Sequence, residues 1–296
     1  MRALPGYRRG SPGPLTDEHA PPLERRPQSL VITLLGSYVH PEERMVWSGG
    51  LVKLLAELGF SAGAARVALV RLTRRDLLER VRDGRLVHYR LTGRAAALLE
   101  EGDRRIFSLG REARAAEAWT ILWHAAPEER RLERGRLARR LRFLGFGSVQ
   151  DGVWVSPHDH EREAAALLEE LGLARHAAVL VGRPASGSDF GAFVARAWDV
   201  EQLTKRYRAF VRTFGRYAPS RRNGLDDRKA FLVRTRLVHD FRQFPSLDPG
   251  LPEELLPTHG QRTRAVGLFH ELYGSLAEPA HRYFDATVVP PLRRQV

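Results

Sequence analysis

The step Asp83-Gly84 lies between "LLERVR" (77–82) and "LVHYRL" (86–91), two short runs that mix apolar and charged residues. An Asp-Gly step in that setting is a strong short-range hairpin signal, because glycine tolerates the positive φ of a tight β-turn. What precedes it narrows the fold further. "PQSLVITLLGSYV" (27–39) reads as a buried first helix, with Pro27 near its start and Leu30, Ile32, Leu34, Leu35 and Val39 apolar. "SGGLVKLLAELG" (48–59) runs from the N-cap candidate Ser48 to Gly59. A third helix begins after Ser61, another good N-cap, and continues to about Arg75. Three helices, a short link between the last two, then a hairpin predict a winged helix-turn-helix over residues 28–92.

Helical phase sorts the residues of the third helix. At 100° per residue, Ala65, Leu69 and Leu72 share one face, and Arg66, Val67, Val70, Arg71 and Arg74 share the opposite arc. Arg75 is less well placed. In the hairpin, Val87, Tyr89 and Leu91 are expected to pack inward while His88 and Arg90 share the other face. Arg82 and Arg85 lie on or near the turn. An arginine-bearing helix face is most often merely solvated; a basic hairpin attached to it in this order argues for DNA. Such a surface needs cations for phosphates and side chains that reach base edges. Arg66, Arg71 and Arg74 are placed for guanine, and Arg82, Arg85 and Arg90 for phosphates or a neighbouring minor groove, with His88 on the face of Arg90 and Arg75 counted in the same DNA-contacting set. Val67 and Val70 can meet thymine methyls but cannot hydrogen-bond a base. Ser61, at the N-terminus of the helix, completes the expected DNA-contacting set.

Charge agrees with that reading. The 296-residue chain has net charge +13, and of its 48 basic residues all but Lys53, Lys205 and Lys229 are arginines. Codon bias in a GC-rich genome accounts for much of the preference for Arg over Lys, but not for the positive sign, which favours a phosphate-bearing partner. The absence of cysteine excludes disulfides, thiol catalysis and zinc–cysteine sites. No apolar run approaches the length of a membrane span, and the Pro-, Gly- and Arg-rich residues 1–27 have no signal-peptide core. A cytoplasmic protein with a disordered N-terminal arm is expected, with no membrane partner.

Beyond a charged helical connector (93–117), the rhythm changes. "AWTILWHA" (118–125), "GSVQ", "GVWVSP" (152–157) and "AAVLVG" (177–182) read as strands, and 127–147 and 161–172 as helices. The resulting βαββαβ order over 118–190 is the ferredoxin-like pattern. Residues 191–290 form a helical C-terminal domain with amphipathic segments at 197–215, 226–244 and 264–285 and a Pro-rich bend at 246–257. The fold class is therefore α+β and multidomain.

Several stretches are distinctive beyond what a fold demands: "SLVITLLGSYV", "FSAGAARVALVRL", "RLRFLGFGSVQDGVWVSP", "AWDVEQLTKRYRAF" and "RTRLVHDFRQFPSLDPGLPEELLP". Together, over about residues 28–285, they resemble the PaaX family of bacterial transcriptional repressors. The resemblance implies a homodimeric repressor of phenylacetate breakdown that binds a double-stranded operator and leaves it on binding phenylacetyl-CoA, with no other cofactor. The chain departs from the family in the third helix, where Gly63 replaces an arginine and Val67 and Val70 replace small hydroxyl residues. The operator is thus not expected to match the family's.

An aromatic acyl-CoA effector wants an aromatic-lined pocket and arginines for its phosphates. Trp198, Tyr207, Arg234, His239 and Arg242 are expected to gather for that purpose. The competing reading for such side chains is simple core packing. The arginines of 130–142 read as a solvated face, against which stands a cationic surface for CoA phosphates or flanking DNA. "SPHDHERE" favours a helix-capping turn over a metal site. A nuclease-like enzyme built on the middle domain is the rival class. The resemblance of that domain to CRISPR adaptation nucleases implies an aspartate at the end of its first strand, where "WTILWHAAP" offers His124 instead, and no catalytic residue is assigned. The sequence is also compatible with a regulator of the same kind that takes a different effector, and with a basic protein-interaction module.

Overall fold

The computed structural model describes residues 27–40, 44–110, 118–185, 189–218, 225–257 and 260–290. The expected N-terminal arm, Pro27 apart, and residues 111–117 of the connector fall outside them. The first part contains α1 (Pro27–Tyr38), β1 (Val46–Trp47), α2 (Ser48–Glu57), α3 (Ala62–Arg74), β2 (Leu78–Asp83) and β3 (Leu86–Leu91), followed by α4 (Gly93–Ser108). The hairpin strands are joined by β1 in an antiparallel sheet of order β1-β3-β2. The sequence pattern does not announce β1; two residues are too few for a periodicity to show.

Two local devices set the hairpin beside α3. The α3 helix ends with Asp76 N–H bonding the Thr73 carbonyl and Leu77 N–H the Leu72 carbonyl, both at 3.0 Å, around the left-handed Asp76 (φ +56°). Thr92 Oγ1 then donates to the Asp76 carbonyl at 2.8 Å and ties the base of the hairpin to that turn. At the other end, Gly84 and Arg85 are the two loop residues and Asp83 still pairs with Leu86. Gly84 takes φ +57° while Arg85 stays out of that region, as a type II′ turn requires. Arg85 is thereby put at the tip.

The second part contains β4 (Trp119–His124), α5 (Arg131–Phe143), β5 (Gly147–Gln150), β6 (Val153–Ser156), α6 (Glu161–Glu170) and β7 (Ala177–Gly182). Its four strands pair antiparallel in the order β5-β6-β4-β7. Leu137, Leu141, Ala164 and Leu167 from the two helices cover Leu122 and Trp154 of the sheet. The remainder is helical: α7 (Phe190–Ala197), α8 (Val200–Phe214), α9 (Asp227–Phe241), α10 (Phe244–Leu247), α11 (Gln261–Ser275) and α12 (Ala277–Val288).

Helical boundaries differ from expectation at several places, and the segment 127–147 narrows to α5 over Arg131–Phe143. The segment 197–215 begins instead at Val200, because Asp199 caps α8 by accepting from Gln202 N–H at 2.8 Å. The segment 264–285 is two helices, broken at Leu276. Pro279 falls in the first turn of α12, where its missing N–H costs no helical bond.

The buried residues form three clusters, and the first crosses the chain. Leu34, Leu51, Leu54, Leu69 and Tyr89 are packed with Phe231 of α9 and with Ala280, Phe284 and Val288 of α12. Tyr38 stacks on Phe284 with ring centroids 4.8 Å apart. At Gly50 of α2 a Cβ would come within 2.6 Å of the Val288 Cα, so only glycine admits this approach. The helices at the two ends of the chain thus share one core.

Candidate nucleic-acid interface

The third helix presents its faces as phase predicts. Ala65, Ala68, Leu69 and Leu72 are buried, and Ser61 Oγ caps the helix by accepting from Ala64 N–H at 3.2 Å. Arg66, Arg71, Arg74 and Arg75 are exposed, as are Val67 and Val70 at 50% and 46%. Arg71, Arg74 and Arg75 line an open recess with Pro27 and Gln28 at the start of α1. The Arg75 backbone carbonyl accepts from Arg94 Nη1 at 3.4 Å. No carboxylate is paired with Arg66, Arg71 or Arg74 among the described residues.

In the hairpin, Tyr89 is buried and Val87 and Leu91 pack on the core, leaving the half-buried His88 and the exposed Arg90 on the other face. Arg90 is not free. It lies directly across from Glu79 and binds it through Nη2 at 2.7 Å and Nε at 2.8 Å. His88 sits between Trp47 and Val81 on the central strand, away from the tip. Arg82 pairs with Val87, on the same sheet face as Tyr89, and is exposed. Arg80, opposite Tyr89, is exposed on that face too and adds a cation to the expected set. Strand alternation counted back from Arg82 is the signal that finds it.

The five residues expected at an effector site do not meet. Trp198 is half-buried in a cleft of about 430 Å³ between the second and third parts. Arg105, Arg142, Arg206, Phe143 and Leu247 also line it. Arg105 is held over the Phe143 ring at 4.4 Å. Tyr207 is fully buried behind that cleft, its hydroxyl donating to Asp248 Oδ2 at 2.6 Å; burial and the neighbouring carboxylate push its pKa up. Arg234, His239 and Arg242 lie on the side of α9 that faces α1, because burying two helices against each other requires partners for their polar groups. Arg234 is stacked between Tyr273 and Tyr38, at 4.3 and 5.2 Å. His239 Nδ1 lies 3.0 Å from Thr33 Oγ1, and Arg242 Nη1 donates to the same oxygen at 2.9 Å. Burial, with Arg242 and Arg236 nearby, lowers the His239 pKa to about 4. These three groups fasten the first helix to the C-terminal helices.

"SPHDHERE" forms a joint of a different kind. Asp159 Oδ1 accepts from Glu161 N–H at 3.2 Å at the start of α6. His158 Nε2 lies 2.8 Å from the Pro249 carbonyl, joining the middle sheet to the Pro-rich bend. His124, at the end of β4, has its pKa lowered by burial.

Three family models match along the chain: PaaX-like protein over residues 26–95, PaaX protein central Cas2-like domain over 112–194, and PaaX-like protein C-terminal domain over 198–286. The chain belongs to the PaaX-like family. It is 28% identical over 262 residues to the transcriptional repressor PaaX of Escherichia coli (strain K12), covering 85% of this chain and 81% of that one. Among solved structures, the uncharacterized protein Rv0674 from Mycobacterium tuberculosis has a similar fold, with TM-score 0.55 and 24% identity over 88% of this chain and all of that one.

Proposed function

We propose that the chain is a sequence-specific, DNA-binding transcriptional repressor. Its first part, residues 28–92, is a winged helix-turn-helix with α3 as recognition helix and β2–β3 as wing. The observation that carries this reading is the exposed arc Arg66–Arg71–Arg74, opposite a buried stripe and beside an arginine-tipped hairpin, with no acidic partner among the described residues. Kinship to a repressor of this family supports it. The open recess beside Arg74 and Arg75 suits backbone phosphate, while Arg66 and Arg71 flank the helix crest. A cytoplasmic homodimer would set one α3 on each half-site of a pseudo-palindromic operator.

The middle part, 118–190, we read as ferredoxin-like and non-catalytic, and 191–290 as the helical domain. The cleft that holds Trp198, Arg105, Arg142 and Arg206 is the preferred place for an aromatic acyl-CoA effector such as phenylacetyl-CoA. Its size lies within the range of small-molecule pockets and it combines aromatic walls with arginines. Arg234, His239 and Arg242 are then not ligand contacts; they tie α9 to α1.

Footprinting on the chain's own upstream region, with and without phenylacetyl-CoA, tests both statements. Protection of a short two-fold site that disappears with the thioester is expected. Protection indifferent to the thioester removes the effector, and no sequence-selective protection at any salt concentration removes the repressor.

A further inference from the structure

The outward crest of α3 is apolar where a DNA-reading helix ordinarily carries polar side chains. Residues 63, 67, 70 and 74 follow one row along a helix, since their spacings of four, three and four residues keep them in line. In this chain the row reads Gly63, Val67, Val70, Arg74. It lies opposite the buried Ala65, Leu69 and Leu72. Val67 and Val70 are half exposed, the only large hydrophobic side chains that α3 turns outward. Gly63 adds no bulk: its nearest neighbour in the Cβ direction is Ser61 Oγ, 4.0 Å away. Arg66 and Arg71 stand to either side of the row and Arg74 closes it.

We infer that Val67 and Val70 read thymine 5-methyl groups in the major groove, so that each half-site carries thymine where these two side chains meet it. Valine has no donor or acceptor, and among base-edge features of the major groove the thymine methyl is the one that rewards apolar contact. Gly63 lets the first turn of α3, from which base contacts are made, approach the bases without a side chain in the way. Phosphate contacts by Arg74 and Arg75 hold the helix in register and carry no methyl preference. The inference rests on the DNA-binding reading and makes it specific: affinity comes from arginines, discrimination in part from two methyl-bearing side chains.

Sites selected by the full-length protein from a random duplex pool supply the probe. Thymines of the selected half-site are replaced one at a time by deoxyuridine, which deletes the 5-methyl and leaves every hydrogen-bonding group. Binding is measured at fixed salt. Each contacted methyl should be worth about fourfold in Kd, the burial of one methyl-sized group. Val67→Ser/Val70→Ser, which disturbs no buried residue, should bind the thymine and deoxyuridine duplexes alike. If the wild-type protein binds selectively yet tolerates every deoxyuridine, or the serine variant keeps the full methyl sensitivity, methyl readout is wrong and the DNA-binding reading stands. If no sequence is enriched from the pool, both fall together.

Discussion

The arginines of α3 and those of the C-terminal helices are the same residue put to opposite uses. On α3, Arg66, Arg71 and Arg74 are exposed and unmatched by carboxylates among the described residues. In the C-terminal part, Arg262 is 2% exposed and its guanidinium is ringed by acceptors. Nη1 reaches Asp248 at 3.3 Å, and Nη2 reaches the Leu251 carbonyl at 2.6 Å and Glu253 at 2.9 Å. Asp248 in turn accepts from Tyr207 and from Gly250 N–H, and Glu253 from Gly260 N–H. A buried guanidinium needs such a cage because its donors have lost water. An exposed one keeps its water and can exchange it for a phosphate or a guanine edge. Arginine abundance alone therefore does not locate a nucleic-acid surface; exposed guanidiniums without internal partners, beside a helix placed to enter a groove, are what one requires.

The sharpest break in that comparison is Arg262→Met. It leaves Asp248 buried with its charge unmatched and frees the bend at 246–257 from α11. A loss of about 3–5 kcal/mol is expected from removing one partner of a buried pair, measured by urea unfolding of the full chain. Adding Asp248→Asn should restore part of it. A loss below about 1 kcal/mol would mean that the network is solvated and the contrast with α3 is one of degree.

Much of this division is legible in the sequence, for physical reasons. The phase of α3 fixes which arginines are outward, since Ala65, Leu69 and Leu72 leave the helix one way to face. The strand order of the middle part follows from short apolar runs and Asp151-Gly152. What alternation does not give is partnership across distance. Glu79 neutralises Arg90 only because the type II′ turn puts those residues opposite each other. The closing of the first core by Phe231, Phe284 and Val288 has no local signature, though Gly50, a weak helix former inside α2, is its trace. The expected effector set is dispersed in the same way: Arg234, His239 and the C-cap Arg242 of α9 do not line the cleft that Trp198 lines, and the partner of His239 and Arg242, Thr33, lies in α1, some two hundred residues away in sequence.

Arg71→Ala probes the exposed side. With no side-chain bond to lose among the described residues, the variant should unfold at the same urea concentration as the parent, within about 0.5 kcal/mol. Its affinity for a selected site should fall by about 1–3 kcal/mol, and for random duplex by less, if Arg71 reaches a guanine. Equal losses on both duplexes, with a shallower salt dependence, would make it a phosphate contact instead.

The smallest effect belongs to His239, which sits between the two regions. Its pKa is lowered to about 4, from an ordinary value of 6.5, by burial first and then by Arg242 and Arg236. The folded protein therefore holds this ring neutral while the unfolded chain takes up a proton, so stability falls as pH drops from about 6.5 toward 4. Between pH 6 and pH 5 the loss from this residue alone is about 1 kcal/mol. His239→Gln can still accept or donate to Thr33 but cannot titrate, so its unfolding free energy should vary less over that interval by the same amount. The seam it occupies joins α1, whose first residues line the Arg71 recess, to α9 through Thr33 and Arg242. The same pH change should accordingly weaken protection of α1 amides in hydrogen exchange before it weakens those of α8, whose Tyr207–Asp248–Arg262 cage holds no histidine. Simultaneous loss in both helices would show that the α1–α9 seam and the Arg262 cage open as one unit.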